Sequence, residues 1–288
     1  MKACQPTVEG AVRRDGVEIY YQRYGHGEPA ILLLPTWSLL HSRHWKMQIP
    51  FLARHFTVMC FDGRGNGGSS RPSDPSAYSD QEFTSDAVAV MDATGIENAV
   101  LISLSRGALW ALRLCAEHPD RVLGAVVISP ALPLAPPLAE RRVQRFDEIL
   151  DEPVDWEKYN AHYWKTNYPD FVDFFVRRLF TEPHSTKQIE DAMGWALETD
   201  GETLTATQRA EAAIDAATIE RLATEAACPV LVIHGTRDAV RSYGAGEALA
   251  QVTGGQLATL NGAGHCPHAR DPVRVNLLIK QFADGVAR

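Results

Sequence analysis

Val100-Leu-Ile-Ser-Leu-Ser105-Arg-Gly-Ala108 is the stretch whose reading decides the fold. Residues 100–104 read as a buried strand, a serine follows, and a helical pattern begins at once over 106–117. A strand that passes into a helix through one serine is the arrangement of a nucleophile elbow. The residues two positions either side of the serine must be small, because strand and helix pass close together. Here they are Ser103 and Gly107. The helix points its N-terminus toward the serine, so the Arg106 N–H is placed to donate to an oxyanion. The same residues also fit a plainer reading, in which Ser105 only caps the helix.

Outward from this stretch, short β-rich runs alternate with longer helical patterns. Strands are expected at 17–21, 30–34, 56–61, 122–128 and 230–233, with 256–260 a weaker candidate. Helices are expected at 81–94, 245–252 and 272–282. Continuous Val/Ile/Leu runs suit strands buried on both faces, and their alternation with helices argues for right-handed crossovers. The expected fold is therefore α/β, with a mostly parallel central sheet flanked by helices. The alternation breaks after Pro130. Residues 131–222 show helical, charged and aromatic character and no convincing strand, behind a proline-rich boundary at Pro130, Pro133, Pro136 and Pro137. The expected organisation is a core of 1–130 and 223–288 with a helical insert at 131–222.

Composition narrows the function classes. The chain has 288 residues, 45% hydrophobic and 22% charged, an ordinary globular balance. Its 28 Lys and Arg against 36 Asp and Glu give a net charge of −8, so nucleic acid is not an expected partner. The insert carries 18 of the acidic and 10 of the basic side chains, which places the whole excess there and is expected to disfavour anionic substrates. The five cysteines are sparse and without paired spacing, which fits a reducing compartment. Residues 1–16 hold no apolar secretory run, and no run approaches the ~20 residues that span a bilayer. A soluble, cytoplasmic protein with no membrane partner is expected. Nothing in the sequence sets the oligomeric state.

A nucleophilic serine needs a base, and the base needs an orienting carboxylate. Asn261-Gly-Ala-Gly-His265 follows the candidate strand 256–260, and Gly235-Thr-Arg-Asp238 follows the strand 230–233. Ser105, Asp238 and His265 thus all lie just past the carboxyl ends of strands, where open parallel sheets build their sites. His268 is the rival base and Ser103 the rival nucleophile. Cys266 and His234 read as packing residues. His41-Ser-Arg-His44 and His265-Cys-Pro-His268 could each lend two ligands to a metal, but no third ligand stands in a recognised pattern, so no metal is expected.

With these residues in place, the chain resembles the α/β-hydrolase superfamily over nearly its whole length. Ser-Leu-Ser105-Arg-Gly is similar to its nucleophile elbow, Gly-Thr-Arg-Asp238 to its acid turn and Gly-His265 to its histidine loop. Phe61-Asp62-Gly-Arg64-Gly65-Asn-Gly67-Gly-Ser69 is similar to a structural turn of that family, in which Asp62 can hydrogen-bond the backbone. The resemblance implies that the insert is a helical cap over the active site. It also implies a serine hydrolase acting on a carboxylic ester or related acyl bond of a small, apolar substrate, with no cofactor. Branches that use aspartate at the elbow, the haloalkane dehalogenases and epoxide hydrolases, fit less well.

One loop departs from the family pattern. The usual His-Gly-x-Pro is replaced by Pro35-Thr36-Trp37-Ser38, and no glycine occurs between Gly27 and Gly63. Pro35 has no N–H, so the second oxyanion donor falls to Thr36 or, by motif alignment, Trp37. The insert and its threshold also supply the candidate substrate-binding residues, Trp37, Trp164 and Phe175. The plainer reading makes these aromatics the cap's own core. Hydrolysis of a carbon–carbon bond, transfer to an acceptor other than water, perhydrolysis, and a non-catalytic ligand-binding member of the fold all remain compatible with the sequence.

Overall fold

A computed structural model describes residues 4–141, 145–210 and 214–287. Eight strands form one sheet in the order β1-β2-β4-β3-β5-β6-β7-β8. They are β1 (Val8–Arg14), β2 (Val17–Tyr24), β3 (Ala30–Leu33), β4 (Thr57–Phe61), β5 (Ala99–Leu104), β6 (Val122–Ile128), β7 (Val230–Gly235) and β8 (Gln256–Leu260). β1 and β2, and β2 and β4, pair antiparallel; every pair from β4 to β8 is parallel. The α/β architecture is the expected one.

The helices are α1 (Ile49–Leu52), α2 (Asp80–Ala93), α3 (Gly107–Glu117), α4 (Ala161–Leu179), α5 (Thr186–Ala196), α6 (Gly201–Arg209), α7 (Ala216–Glu225), α8 (Tyr243–Thr253), α9 (Pro267–Arg270) and α10 (Pro272–Val286). The parallel strands β3 to β7 are buried at every residue but the half-buried Leu123 of β6, and successive residues serve opposite faces. Val100, Ile102 and Leu104 of β5 join one apolar cluster, with Trp45 and the aromatic residues of α4. Leu101 joins the other, with the apolar faces of α2 and α3. That period of two explains why the strands read as continuous apolar runs in the sequence.

β1 is the one strand among the described residues that the sequence reading lacks, along with the short helices α1 and α9. It sits at the sheet edge, and no residue of it is fully buried. Its pairing with β2 fixes it, from Val8 opposite Arg23 to Arg14 opposite Val17. An edge strand with one hydrogen-bonded neighbour needs little apolar patterning, so it leaves a weak signal.

Between β6 and β7 the described residues contribute helices and turns, and no strand. α4 kinks at Asn167, whose φ of −133° is non-helical, two residues before Pro169. Proline removes one helical N–H and crowds the preceding turn, which accounts for the break. α7 runs across the expected boundary at 222. Its Ile219, Leu222 and Ala223 belong to the apolar cluster of α2 and α3, and the helix packs against α3 and α8.

Candidate active site

Ser105 follows the last residue of β5 directly and has φ +54°, in the left-handed region that non-glycine residues seldom occupy. Its N–H donates to the Ile128 carbonyl at 2.9 Å, and its own carbonyl accepts from the Ala131 N–H at 3.1 Å. Two backbone bonds to the end of β6 thus hold the residue in a strained turn. Gly107 shows why the motif needs a glycine: a Cβ there would lie 2.5 Å from the Pro35 carbonyl oxygen. The rival Ser103 is fully buried inside β5, with its hydroxyl 3.4 Å from the Val126 carbonyl.

The acid and base loops are stitched together beyond β7 and β8. Thr236 N donates to the Leu260 carbonyl, and Arg237 N donates to the Ala263 carbonyl at 2.9 Å. These bonds bring Asp238 Oδ2 within 2.7 Å of His265 Nδ1. Asp238 Oδ1 accepts from the N–H groups of Val240 and Arg241, at 2.7 and 2.9 Å. Burial on its own pushes the Asp238 carboxyl up, but the His265 imidazole and a hydrogen bond from His234 outweigh it. The acid is held well below the usual carboxylate range.

His234 is the residue that sequence reasoning missed. It is the last residue but one of β7, is fully buried, and its Nε2 lies 3.0 Å from Asp238 Oδ2. Its sequence signal is the i, i+4 spacing to Asp238 across a glycine turn, which fits a packing residue equally well. The rival base His268 is elsewhere. Its Nε2 contacts His44 Nδ1 at 3.3 Å, and burial followed by repulsion from His265 lowers it to about 3. Burial likewise pushes the Cys266 thiol well above its ordinary value. Among the described residues, no group of three or more His, Cys, Asp or Glu side chains could hold a metal ion.

Arg106 and Trp37 meet at α6. Thr207 Oγ1 accepts from the Trp37 indole N–H at 3.0 Å, and the Thr207 carbonyl takes a long 3.5 Å contact from Arg106 Nη1. The Trp37 ring then packs against Tyr159, Trp164 and Phe175, with centroids 5.6, 5.7 and 5.4 Å away. Trp164 is fully buried and donates its indole N–H to the Lys158 carbonyl; Phe175 is buried beside it. The three candidate substrate-binding residues therefore form one aromatic cluster that joins the Pro35–Trp37 loop to α4. The neighbouring clefts are lined by others. One of about 460 Å3 includes Leu109, Ala131, Tyr159 and Val240, and one of about 810 Å3 includes Trp156 and Asp238.

The glycine-rich turn after β4 braces this region. Asp62 Oδ1 accepts from Ser42 N at 2.9 Å, and Oδ2 accepts from Gly68 N at 2.8 Å. Arg64, 1% exposed, makes a two-pronged contact with Asp86 at 2.6 and 2.9 Å.

A strained serine after β5, an acid after β7 and a histidine after β8 lie past the carboxyl ends of strands in a mainly parallel sheet, and residues 29–272 match the family described as alpha/beta hydrolase fold. The chain belongs to that family. Epoxide hydrolase A of Mycobacterium tuberculosis is 37% identical to it over 148 residues, covering 50% of this chain and 45% of that protein. Fluoroacetate dehalogenase of Burkholderia sp is 38% identical over 108 residues, covering 36% of this chain and 35% of that one. The chain thus spans less than half the length of these two relatives. The solved structure of the enol-lactonase from Burkholderia xenovorans LB400 superposes with a TM-score of 0.77 at 25% identity, covering 95% of this chain and 99% of that one. Among the described residues of this alpha/beta hydrolase fold, no helix is long and apolar enough to cross a membrane.

Proposed function

We propose that the protein is a serine hydrolase that cleaves a carboxylic ester or related acyl bond of a small molecule through Ser105, His265 and Asp238. The observation that carries this reading is the buried 2.7 Å contact between His265 Nδ1 and Asp238 Oδ2, past the carboxyl ends of the strands, where Ser105 too is held, at φ +54°. The carboxylate accepts a hydrogen bond from Nδ1–H, which keeps that proton on Nδ1 and leaves Nε2 as the basic nitrogen. Ser105 Oγ attacks the carbonyl carbon while His265 Nε2 takes its proton. The same nitrogen returns that proton to the leaving group as the tetrahedral intermediate collapses to an acyl-enzyme. Water, activated by His265, then releases the acid and regenerates Ser105.

The N–H of Arg106, at the N-terminus of α3, and that of Trp37 are the proposed oxyanion donors; an oxyanion donor typically contributes about 3–4 kcal/mol to the transition state. Trp37, Trp164 and Phe175 are the proposed apolar wall. Two of the similar proteins are named for epoxide and carbon–fluorine chemistry. The elbow of this chain carries serine, which supports acyl chemistry instead. A lactone is a cyclic ester, so the likeness to an enol-lactonase supports the same class.

The test is labelling with a fluorophosphonate probe beside a panel of aryl and alkyl esters of increasing acyl length. Labelling of wild-type protein, its loss in Ser105→Ala and turnover of at least one ester are expected. Folded protein that neither labels nor turns over any ester would sink the reading and favour a ligand-binding member of the fold.

A further inference from the structure

Cys115 and Cys228 are 113 residues apart in the chain, yet their thiol sulfurs lie 3.3 Å apart in the fold. Cys115 sits in the last turn of α3 and is 1% exposed. Cys228 lies just before β7 and is half-buried. α7 brings the two together. Its Leu222 and Ala223 share one apolar cluster with Leu112 and Cys115, and the helix packs on α3 before the chain turns into β7. The meeting point is remote from the serine. Cys115 is at the far end of α3 from Ser105, about 15 Å along a helix that rises ~1.5 Å per residue.

The two sulfurs are not equivalent. An oxidant from solution can meet the half-buried Cys228, whereas Cys115 is sealed beneath it. The contact between them also favours the thiolate on Cys228. A hydrogen bond from the Cys115 thiol holds Cys228 below its ordinary value, against burial. The same bond, followed by burial, holds Cys115 well above its own. An accessible thiolate beside a buried thiol is the pairing of an attacking and a resolving cysteine. The other thiols lack it: burial pushes Cys60 up to about 12 and Cys266 well above its ordinary value, and the exposed Cys4 donates to its neighbour, the Gln5 carbonyl.

We propose that Cys228 and Cys115 are a site of reversible oxidation by hydrogen peroxide, whose product is a disulfide that staples α3 to the entry of β7. The Cys228 thiolate attacks one oxygen of the peroxide: an S–O bond forms, the O–O bond breaks, and the departing hydroxide takes up a proton as water. The Cys115 sulfur then attacks the Cys228 sulfenic acid. The S–S bond forms, the S–O bond breaks, and the hydroxide leaves with the Cys115 proton as a second water. The two sulfurs lose two electrons and the peroxide gains them. Reaching the ~2.05 Å of a disulfide closes the 3.3 Å gap by about 1.3 Å. The ring so formed contains the whole segment between β6 and β7, and a loop of that length takes much freedom from the unfolded chain. A disulfide made only on oxidation agrees with the sparse cysteines of a reducing compartment.

The experiment treats the folded full chain with a slight excess of hydrogen peroxide, alkylates the remaining thiols and maps the peptides by mass spectrometry without reduction. A peptide pair linked through Cys115 and Cys228 is expected, and dithiothreitol should abolish it. The linked protein should melt about 5 °C or more above the reduced one. Cys115→Ser should form no such link, leave a sulfenic acid at Cys228 that dimedone traps, and show no rise in Tm on oxidation. The map itself needs only the wild-type chain. Folded protein that peroxide leaves without the Cys115–Cys228 link, oxidation that runs on to sulfinic acid at Cys228, or a linked protein that melts no higher than the reduced one would each overturn the proposal.

Discussion

His234 Nε2 lies 3.0 Å from Asp238 Oδ2, the same oxygen that meets His265 Nδ1 at 2.7 Å. Two imidazoles therefore share one carboxylate oxygen, while the other oxygen is committed to two backbone N–H groups. His234 has no freedom to leave. Its Nδ1 is buried without a partner, and a Cβ on Gly246 would come within 2.5 Å of it. The acid is thus fixed on all sides, and His265 receives a carboxylate that cannot rotate.

Replacing His234 is expected to act on turnover rather than on substrate binding. His234→Phe should lower kcat for ester hydrolysis by about tenfold with KM little changed, in line with other groups that orient a reacting side chain. His234→Gln, which restores an N–H donor, should recover most of that loss. Steady-state kinetics check this, and equal loss in the two variants would reduce His234 to a space-filler.

The strain at Ser105 can be weighed against its chemistry. Alanine at φ +54° keeps the left-handed penalty and glycine does not. Ser105→Gly should therefore be more stable than Ser105→Ala by about 1 kcal/mol in urea unfolding. Both should lose ester turnover by four orders of magnitude or more, roughly. Equal unfolding midpoints would show that the turn stores no strain.

Gly107 and Gly194 should respond oppositely to the same substitution. Gly107→Ala places a Cβ 2.5 Å from the Pro35 carbonyl and forces the loop bearing Trp37 to move. A loss of about 1–3 kcal/mol is expected, with reduced kcat/KM. Gly194 in α5 has open space around it, so Gly194→Ala should stabilise by about 0.5–1 kcal/mol. Thermal or denaturant unfolding of the pair decides the matter, and destabilisation by both would contradict the geometry.

Acid should destabilise the fold through His44 and His268. Burial lowers both, His268 from 6.5 to about 3, so below pH 6.5 the unfolded chain takes up protons that the folded one refuses. Their contribution is whole above pH 6.5 and is lost as the pH falls from there toward 3. Each histidine can add about 1.4 kcal/mol per pH unit to that slope. His268→Gln should flatten the dependence of unfolding free energy on pH between 6 and 4, roughly. An unchanged slope would mean that the pair does not stay neutral.

Much of the site is legible in the chain because its parts are local. The Val100–Ala108 stretch, Gly235–Asp238 and Asn261–His265 each encode a strand end plus a turn, and the parallel sheet aligns strand ends by its own geometry. Other features have no local signature. β1 is held by pairing rather than by patterning, and α7 reads as the end of the insert although its Ile219 and Leu222 join the apolar cluster of α2 and α3. His44 and His268 are 224 residues apart, and only folding brings their nitrogens to 3.3 Å.

The amino-acid sequence alone settled the α/β class and named Ser105, Asp238 and His265, since hydrophobic period and turn chemistry are properties of short segments. The tertiary structure decided which histidine holds Asp238, that His234 shares the same oxygen, and that Trp37 ties the Pro35–Trp37 loop to α6 through Thr207. Those are choices among long-range partners. They depend on burial and on distances of a few tenths of an ångström, and no periodicity along the chain carries that information.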